Sequence, residues 1–327
     1  MATQPSCVIF GGSGWIGTHL ANHFSLHHRF STIILADIQK PPGWVDGKNT
    51  RFIYCDVRKP IASDLDAHRP QWIYNLAAVH REPGHQPEEY FHTNLNGAQH
   101  ICQFADRIDC RNIFFTSSIA VYGPTTNPTD EHAPIKPTSP YGRSKYSAEL
   151  EFETWRQSQH ERRLVICRPG VVYGPHDQGN IIRMIRALQK GYFLLPSSRN
   201  LYKSYAYIYG LLESIDFMMQ ESDVHSCYNY VETPTEPVRQ LVSHVKSFLR
   251  LRIPIFAVPT SILLLIASVV SFLTHGLSPI HPTRVRKAAT PTQIVPRVLE
   301  EKGFTFRYDF LKSLKHWHSI SPKDFGS

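Results

Sequence analysis

The N-terminus of the chain places a short apolar strand directly before a glycine-rich turn and a helix. Cys7 to Phe10 form the apolar run, the letters GGSGWIG follow as residues 11–17, and Thr18 to Phe24 have helix-forming character. Glycines at these intervals permit a tight turn and the close approach of a pyrophosphate to a helix N-terminus. The pattern predicts a Rossmann-type α/β fold whose turn binds a dinucleotide, with contacts from Gly11, Gly14, Trp15 and Ile16.

A second strand ends in a carboxylate. Ile33 to Ala36 are apolar, and Asp37 follows them. An acid at this point suits the two hydroxyls of an adenosine ribose and repels a 2′-phosphate. Asp37 therefore favours NAD over NADP, and the nearby Lys40 keeps that preference moderate.

Further strand-like runs alternate with helical ones. The runs are Arg51 to Val57, Trp72 to Ala78, Arg111 to Ser118 and Leu164 to Pro169, with a helix from Tyr90 to Ala105. This alternation predicts a doubly wound parallel sheet that binds ligands at the carboxyl ends of its strands. Further cofactor contacts are expected from residues near that edge: Asp56, Val57, Ala77, Ala78, Asn94 and Pro169. Asp56 suits the adenine amino group, although it could equally form a turn.

After about residue 175 the pattern changes to helical pieces and irregular loops. The sequence predicts a cofactor-binding domain over residues 1–175 and a smaller C-terminal substrate-binding lobe over residues 176–327. Part of residues 206–232, near Ala206 to Met219, is expected to return to the sheet and complete it.

Tyr141 and Lys145 lie four residues apart and follow two adjacent serines, Ser117 and Ser118. On a helix, four residues is about one turn, so the phenol and the ammonium would share a face. A phenol has a reference pKa of about 10, and a neighbouring cation favours its phenolate. With a hydrogen bond from Ser118, the group is suited to take a proton from a hydroxyl while a cofactor takes a hydride. The same spacing also arises by chance on many helices, so the glycine-rich turn upstream is what supports this interpretation.

The net charge of +8 and the pI of about 9.2 favour an anionic partner. The basic residues are dispersed, which favours phosphates or an anionic membrane surface over nucleic acid.

The 6 cysteines lack metal-finger spacing and the 18 histidines lack an HExxH pattern. The sequence therefore predicts free thiols, a reducing compartment and no metal site. No basic stretch followed by a long apolar run opens the chain, so no signal peptide is expected.

Several motifs occur together in the order and spacing of a known superfamily: GGSGWIG, Asp37, NLAA, TSSIAVYG, SPYGRSK and RPGVVYGP. Over residues 6–230 the chain resembles the extended short-chain dehydrogenase/reductases, and in particular their nucleotide-sugar epimerase branch. The resemblance implies that Ser118 hydrogen-bonds the sugar O4 and that Tyr141 is the catalytic acid/base. It implies that Lys145 binds the nicotinamide ribose and lowers the Tyr141 pKa. It also implies tightly held NAD, oxidation of C4 to a ketone, rotation of the sugar and return of the hydride to its other face.

A narrower set of motifs is similar to the bacterial epimerases that act on N-acetylglucosamine diphospho-undecaprenol in surface-polysaccharide assembly. The motifs are residues 77–82, Gly179-Asn180, residues 202–208, residues 228–231 and Ser278 to Ala289. Soluble nucleotide-sugar epimerases usually carry Arg-Asp-x-x-x-Val-x-Asp where this chain reads KSYAYIYG over residues 203–210, which favours a lipid-linked substrate. A UDP-N-acetylhexosamine 4-epimerase and an NAD(P)-dependent 4-keto-sugar reductase or dehydrogenase remain alternatives.

The predicted substrate contacts, taken largely from the same resemblance, are Ser117, Ser118, His80, Arg81, Asn180, Arg183, Lys203 and Arg284. Ser118 fits the family spacing better than Ser117, and Arg183 could equally be a solvated helix residue. Whether two copies of the chain form a homodimer is left open.

The segment Ile253 to Thr274 contains no charged residue, while both of its flanks are basic. If Pro259 starts a helix, Thr260 to His275 measure about 24 Å, short of the ~30 Å hydrocarbon core of a bilayer. The segment is expected to dip into one leaflet, as a single helix or a pair. Its basic flanks would then rest on anionic headgroups at the cytoplasmic face of the bacterial inner membrane. The alternative is a buried helix of the substrate lobe in a soluble cytoplasmic protein.

Overall fold

The computed structural model describes residues 5–82, 84–196, 201–274 and 281–326. The strands in these ranges are β1 Ser6–Phe10, β2 Thr32–Asp37, β3 Thr50–Tyr54, β4 Trp72–Asn75, β5 Asn112–Thr116, β6 Thr125–Thr129, β7 Arg163–Pro169, β8 Val171–Tyr173, β9 Leu194–Pro196, β10 Tyr205–Tyr207, β11 His225–Tyr230, β12 Phe256–Val258 and β13 Thr292–Ile294. The α-helices are α1 Trp15–Leu26, α2 Pro87–Arg107, α3 Pro140–Gln157, α4 Asn180–Gln189, α5 Ile208–Gln220, α6 Val238–Phe248, α7 Thr260–Leu273, α8 Pro282–Ala289, α9 Arg297–Glu301 and α10 Phe310–Ile320. Short 3-10 helices cover Ser63–His68, Ile119–Tyr122 and Pro322–Phe325.

Within the described residues, a seven-stranded parallel sheet has the order β11-β7-β5-β4-β1-β2-β3. This is the predicted doubly wound arrangement, and the fold class is confirmed. The apolar runs of the sequence are its buried central strands, as in β1, where Cys7 to Phe10 are fully buried. The chain order reverses between β1 and β4, and such a switch point opens a crevice at the carboxyl edge of the sheet.

The seventh strand of the sheet is β11, which pairs with β7 and lies inside the predicted range 206–232. The narrower placement of this return near Ala206 to Met219 is wrong. That stretch holds β10, which pairs with β8 outside the main sheet, and the helix α5. Buried residues of α5 recur at Ile208, Leu211, Leu212 and Ile215, a helical rather than a strand period.

Apolar side chains pack on both faces of the sheet. One core contains residues of α2 and α3, including Ile101, Phe104 and Phe152. The other contains residues of α1 and α5 and continues into α4, α6 and α10 of the C-terminal region. The C-terminal helices therefore share one face of the sheet with α1 and α5, which fixes them relative to the carboxyl edge.

The apolar segment of the sequence forms a single helix, α7, which begins directly after Pro259 as predicted. In α7 only Ala267 is buried, and the helix packs against α8. The interpretation of this segment as a buried helix of the lobe therefore does not hold. No helix in the described ranges has the length and apolar character needed to cross a bilayer. The predicted helix end at His275 and residues 278–280 of the motif Ser278 to Ala289 lie outside the described residues.

Candidate active site

The glycine-rich turn joins β1 to α1 at the carboxyl edge of the sheet. Gly11 adopts a φ of +74°, and a Cβ atom there would lie 2.6 Å from the backbone nitrogen of Ala77, so only glycine fits this position. Gly14 is the N-cap of α1, and no side chain caps the helix. The first N–H groups of α1, from Trp15 and Ile16 onward, have no partner within the helix. They suit an anionic ligand such as a pyrophosphate.

The carboxylate of Asp37 ties the end of β2 to this turn. It accepts hydrogen bonds from the backbone N–H groups of Ser13 at 3.1 Å and Gln39 at 3.1 Å. Beside it, the Ser13 hydroxyl oxygen is buried and has no hydrogen-bond partner within the described residues. Buried hydroxyls are normally paired, so this one is suited to a phosphate or ribose oxygen. The turn and the end of β2 together fit a dinucleotide.

Asn94 holds the loop that follows β4 against the two helices beside it. Its amide oxygen accepts from the backbone N–H of Val79 at 2.9 Å. Its amide nitrogen donates to the Val79 carbonyl at 3.1 Å and to the Ser144 hydroxyl at 2.8 Å. This loop also carries Ala77 and Ala78, both half-buried at the edge. Because the amide nitrogen already donates twice, Asn94 acts here by positioning the loop, and a direct cofactor contact stays a prediction.

Asp56 follows β3 and forms a turn with Arg58. The Arg58 guanidinium donates two hydrogen bonds to its carboxylate, at 2.8 and 2.7 Å. This pairing lowers the pKa of Asp56 below its usual value. The turn-forming interpretation thus describes the observed contacts, and a contact with adenine stays a prediction. Val57 and Pro169, the other predicted cofactor residues at strand ends, are buried.

Ser118 and Tyr141 meet because α3 packs against the 3-10 helix that follows β5. Ser118 caps this short helix by accepting the Ala120 N–H at 3.2 Å, and Ser139 caps α3 by accepting the Gly142 N–H at 3.1 Å. A Cβ atom at Gly142 would lie 2.5 Å from the Ala120 carbonyl oxygen, so glycine permits the two backbones to touch. The Ser118 hydroxyl hydrogen-bonds the Tyr141 phenol. The structure therefore brings the predicted pair together.

The pKa of Tyr141 is raised to about 12. Burial is the main cause, the hydrogen bond with Ser118 acts in the opposite direction, and the charge of Glu82 adds to the increase. The sequence predicted that Lys145 would lower this pKa, but Lys145 is not among the groups that act on Tyr141 here. The phenol is thus predominantly protonated at neutral pH.

Lys145 lies one turn after Tyr141 on α3 and is 2% exposed. Burial lowers its pKa to about 7, against the opposing effect of the Glu149 carboxylate. Its ammonium nitrogen lies 4.2 Å from the centroid of the Phe115 ring, a favourable cation–π distance. The buried ammonium of Lys145 is therefore held between the Phe115 ring and the acid one turn further along α3.

A buried polar network lies one further turn along α3. Glu149 is 3% exposed and accepts two hydrogen bonds from the Arg168 guanidinium, at 2.9 and 2.7 Å. Arg168 also donates to the Tyr122 hydroxyl at 2.9 Å, which in turn donates to Asn229 at 2.8 Å. The Ser117 hydroxyl donates to Glu149. Ser117 therefore points into the protein, and a substrate contact from it would require this hydrogen bond to break.

Glu82 connects α3 to the C-terminal region. One of its carboxylate oxygens accepts the backbone N–H of Tyr141 at 3.4 Å, and the other pairs with the ammonium of Lys287 on α8. Lys203 donates to the Lys287 carbonyl at 2.6 Å. Burial and the Lys287 charge lower the pKa of Lys203 to about 8. Lys203, a predicted substrate contact, therefore belongs to a charged cluster beside Tyr141.

The remaining predicted substrate residues have exposed side chains. His80 and Arg81 lie on the loop after β4, and Arg284 lies on α8, one turn before Lys287. Asn180 is the first residue of α4, and Arg183 lies on the same helix. Burial raises the pKa of Asp177 to about 6, and the charge of Arg183 opposes this increase. Asn180 and Arg183 thus form a second polar group, on an element other than those of the Tyr141 cluster.

Four residues of the site were not predicted from the sequence. Ser13 lies inside the glycine-rich motif and Glu149 lies one turn beyond Lys145, so a hydroxyl in that turn and an acid at that spacing were usable signals. Glu82 and Lys287 lie 205 residues apart. No local pattern could pair them.

The model of the NAD dependent epimerase/dehydratase family matches residues 7–230. A relative from Escherichia coli O157:H7, N-acetyl-alpha-D-glucosaminyl-diphospho-ditrans,octacis-undecaprenol 4-epimerase, is 28% identical over 94% of this chain and 92% of its own. The UDP-glucose 4-epimerase of Bacillus subtilis is 25% identical over 53% of this chain and 55% of its own.

Solved structures match almost the whole chain. The Bordetella bronchiseptica enzyme WbmG in complex with NAD has a TM-score of 0.78 at 17% identity, covering 99% of this chain and 96% of that one. The Thermus thermophilus UDP-glucose 4-epimerase complex with NAD has a TM-score of 0.75 at 18% identity, covering 96% and 99%. At these identities the structures confirm the fold.

Proposed function

Since the chain belongs to the NAD-dependent epimerase/dehydratase family, we propose that it is a sugar 4-epimerase acting on a lipid-linked N-acetylhexosamine. The sugar is joined through a diphosphate to undecaprenol, and the reaction interconverts its N-acetylglucosamine and N-acetylgalactosamine forms for surface-polysaccharide synthesis. NAD is the cofactor. The relative named for such a substrate aligns with 94% of this chain, including the C-terminal region, whereas the UDP-glucose epimerase of Bacillus subtilis aligns with 53%.

Tyr141 is the residue that moves the proton. Its oxygen takes the proton of the C4 hydroxyl as C4 becomes a carbonyl, and gives it back after the sugar has turned its other face. When bound, oxidised NAD supplies the hydride acceptor and a positive charge that favours the Tyr141 phenolate. Ser118 shares a hydrogen bond with the phenol and directs the same sugar oxygen. Proton and hydride both return to the sugar, so the reaction has no net oxidation.

The observation that carries the lipid-linked assignment is the exposed apolar face of α7. Leu265 is 65% exposed, Phe272 82% and Leu273 69%, and basic residues flank the helix on both sides. Each CH₂ that leaves a membrane costs about 0.8 kcal/mol, so a polyprenol stays in the bilayer and its enzyme must work at the surface. An apolar helix with basic flanks provides buried area and attraction to anionic lipid. The protein would then act as a peripheral enzyme at the cytoplasmic face of the inner membrane.

The activity is tested by incubating purified protein with lipid-linked and UDP-linked N-acetylhexosamine, without added cofactor, and analysing the released sugar. We expect N-acetylgalactosamine from lipid-linked N-acetylglucosamine, and less conversion of the UDP-sugar. Conversion of the UDP-sugar alone would support a UDP-N-acetylhexosamine 4-epimerase. A product that forms only when NADH or NADPH is added would support a 4-keto-sugar reductase or dehydrogenase.

The membrane role of α7 is tested with the triple variant Leu265→Ser, Val269→Ser, Phe272→Ser. The matched control carries Leu26→Ser, Val224→Ser and Ile320→Ser, which are exposed apolar residues outside α7. The α7 variant should lose sedimentation with vesicles and activity on the lipid-linked sugar, yet keep activity on a short-chain soluble analogue. A native protein that never sediments with vesicles would rule out the membrane role and favour a soluble enzyme.

A further inference from the structure

An open groove of about 650 Å³ lies along α6, away from the elements that carry Ser118, Tyr141 and Lys145. Its polar lining consists of Arg239, Ser243, Lys246, Ser247, Arg250 and Arg252, and its apolar lining of Leu195, Leu251 and Ile255. A volume of this size falls within the range of small-molecule sites in proteins, roughly 300–1,000 Å³. We propose that this groove binds the phosphate headgroup of an anionic phospholipid.

The spacing of α6 places the polar residues on one face. Arg239, Ser243 and Lys246 follow one another at intervals of four and three residues, which are neighbours on a helical surface, and Arg250 follows just after the helix end at Phe248. The opposite face is buried, through Val238, Leu241, Val242 and Val245. The helix therefore presents cations and hydroxyl donors to the groove in one row, and the chain continues past Arg250 to add Arg252 to the same lining.

These cations lack acidic partners. In the part of the chain that the structure describes, none of Arg239, Lys246, Arg250 and Arg252 forms an ion pair, although many other basic residues do. Positive charges gathered on one wall repel one another unless an anion lies among them. A phosphodiester offers the required charge and accepts hydrogen bonds from guanidinium, ammonium and hydroxyl groups.

The groove opens beside apolar surface. Ile255 lines it, and the next residue, Phe256, begins β12 and is 62% exposed. After Val258 and Pro259 the chain enters α7, with its exposed apolar face. A phospholipid combines an anionic headgroup with apolar tails, and this stretch places a cationic groove and apolar side chains next to each other in the chain. The assignment rests on the membrane docking proposed above and specifies the lipid class that α6 would select.

The test compares the triple variant Arg239→Gln, Lys246→Gln, Arg252→Gln with a matched control, Arg51→Gln, Lys59→Gln, Lys315→Gln. The control residues are exposed cations outside the groove, so both variants lose three positive charges. Binding is measured to vesicles of phosphatidylglycerol with phosphatidylcholine and to vesicles of phosphatidylcholine alone. A basic residue near an anionic surface contributes roughly a fivefold increase in affinity. The groove variant should therefore bind phosphatidylglycerol vesicles on the order of 100-fold more weakly, with the control and the neutral vesicles little changed.

Four outcomes would overturn the proposal. Equal losses in the groove variant and the control would mean that net charge alone matters. An undiminished affinity of the groove variant for phosphatidylglycerol would exclude the groove while leaving membrane docking by α7 intact. A higher KM for a soluble UDP-sugar in the groove variant would assign the groove to the substrate diphosphate instead. If native protein binds neither kind of vesicle, membrane docking and the headgroup site fail together.

Discussion

The carboxylate of Glu82 pairs with the ammonium of Lys287 across 205 residues of sequence, and its other oxygen accepts the backbone N–H of Tyr141. The pair joins the loop after β4 to α8, the helix on which α7 packs. The charge of Glu82 also raises the pKa of Tyr141. The Lys287 ammonium on α8 thus partly offsets the Glu82 charge that acts on the Tyr141 phenol.

We expect Glu82→Gln and Lys287→Met to move the pH dependence of kcat/KM in opposite directions. Removing the Glu82 charge lowers the pKa of Tyr141, so activity should rise at a lower pH. Removing Lys287 leaves the Glu82 charge less screened, so activity should rise at a higher pH. Glu88→Gln, on exposed surface of α2, is the control. Shifts in the same direction for both variants would mean that the ion pair has only a structural role.

Tyr141→Phe should reduce turnover by ~10²–10⁴-fold, because it removes the oxygen that we propose as the carrier of the proton. Bound NAD, measured after purification, should be retained, since the ring and its packing remain. Tyr146→Phe, a half-buried tyrosine on the same helix, is the matched control and should keep near-native turnover. Near-native turnover in Tyr141→Phe would remove Tyr141 from the mechanism.

Lys145→Met should lose activity and some NAD affinity, and should also change stability with a defined pH dependence. Burial lowers the pKa of Lys145 from 10.5 to about 7 in the folded protein, so between these values the unfolded chain binds the extra proton. The buried ammonium therefore destabilises the fold fully below pH 7, and this cost disappears as the pH rises towards 10.5. Urea unfolding at pH 6, 8 and 10 should show Lys145→Met more stable than native at pH 6, with the difference shrinking by pH 10. A constant difference would contradict the low pKa.

Asp37→Ala should weaken the preference for NAD over NADP. The variant removes a possible ribose partner and the charge that would repel a 2′-phosphate. It also removes the hydrogen bond from the Ser13 N–H, so some loss of NAD affinity is expected as well. Asp37→Asn, which keeps an acceptor without the charge, separates these two effects in titrations with both cofactors. Equal affinities of the native protein for NAD and NADP would show that Asp37 does not select the cofactor.

Much of the fold could be predicted from the sequence because its signals are local. Continuous apolar runs mark buried parallel strands, and the glycine-rich turn fixes the first strand–helix connection. The start of α7 was predictable because Pro259 cannot continue a preceding hydrogen-bonded turn but suits a helix start. The strand that completes the sheet was harder to place. The apolar residues of α5 come just before β11 in the chain, and they made α5 look like the missing strand.

The features of the site also divide into those with a local sequence signal and those that depend on contacts between distant residues. Ser118, Tyr141 and Lys145 could be predicted as candidate residues because they lie in two short motifs. The pKa of Tyr141 was not predictable, because it depends on burial and on Glu82 from another loop. The hydrogen bond from Ser117 to Glu149 belongs to a network that also includes Arg168 and Asn229. Such a network forms only when the strands that carry its members are in place.

The contact between Gly142 and Ala120 has a consequence for protein engineering. Because backbone meets backbone there, main-chain atoms set the approach of α3 to the short helix that follows Ser118. Libraries that vary exposed positions such as Arg81 or Asn180 can therefore explore new sugars or carriers while the proton-transfer pair keeps its geometry. New specificities would then arise from substitutions at exposed positions around Ser118 and Tyr141, which themselves stay unchanged.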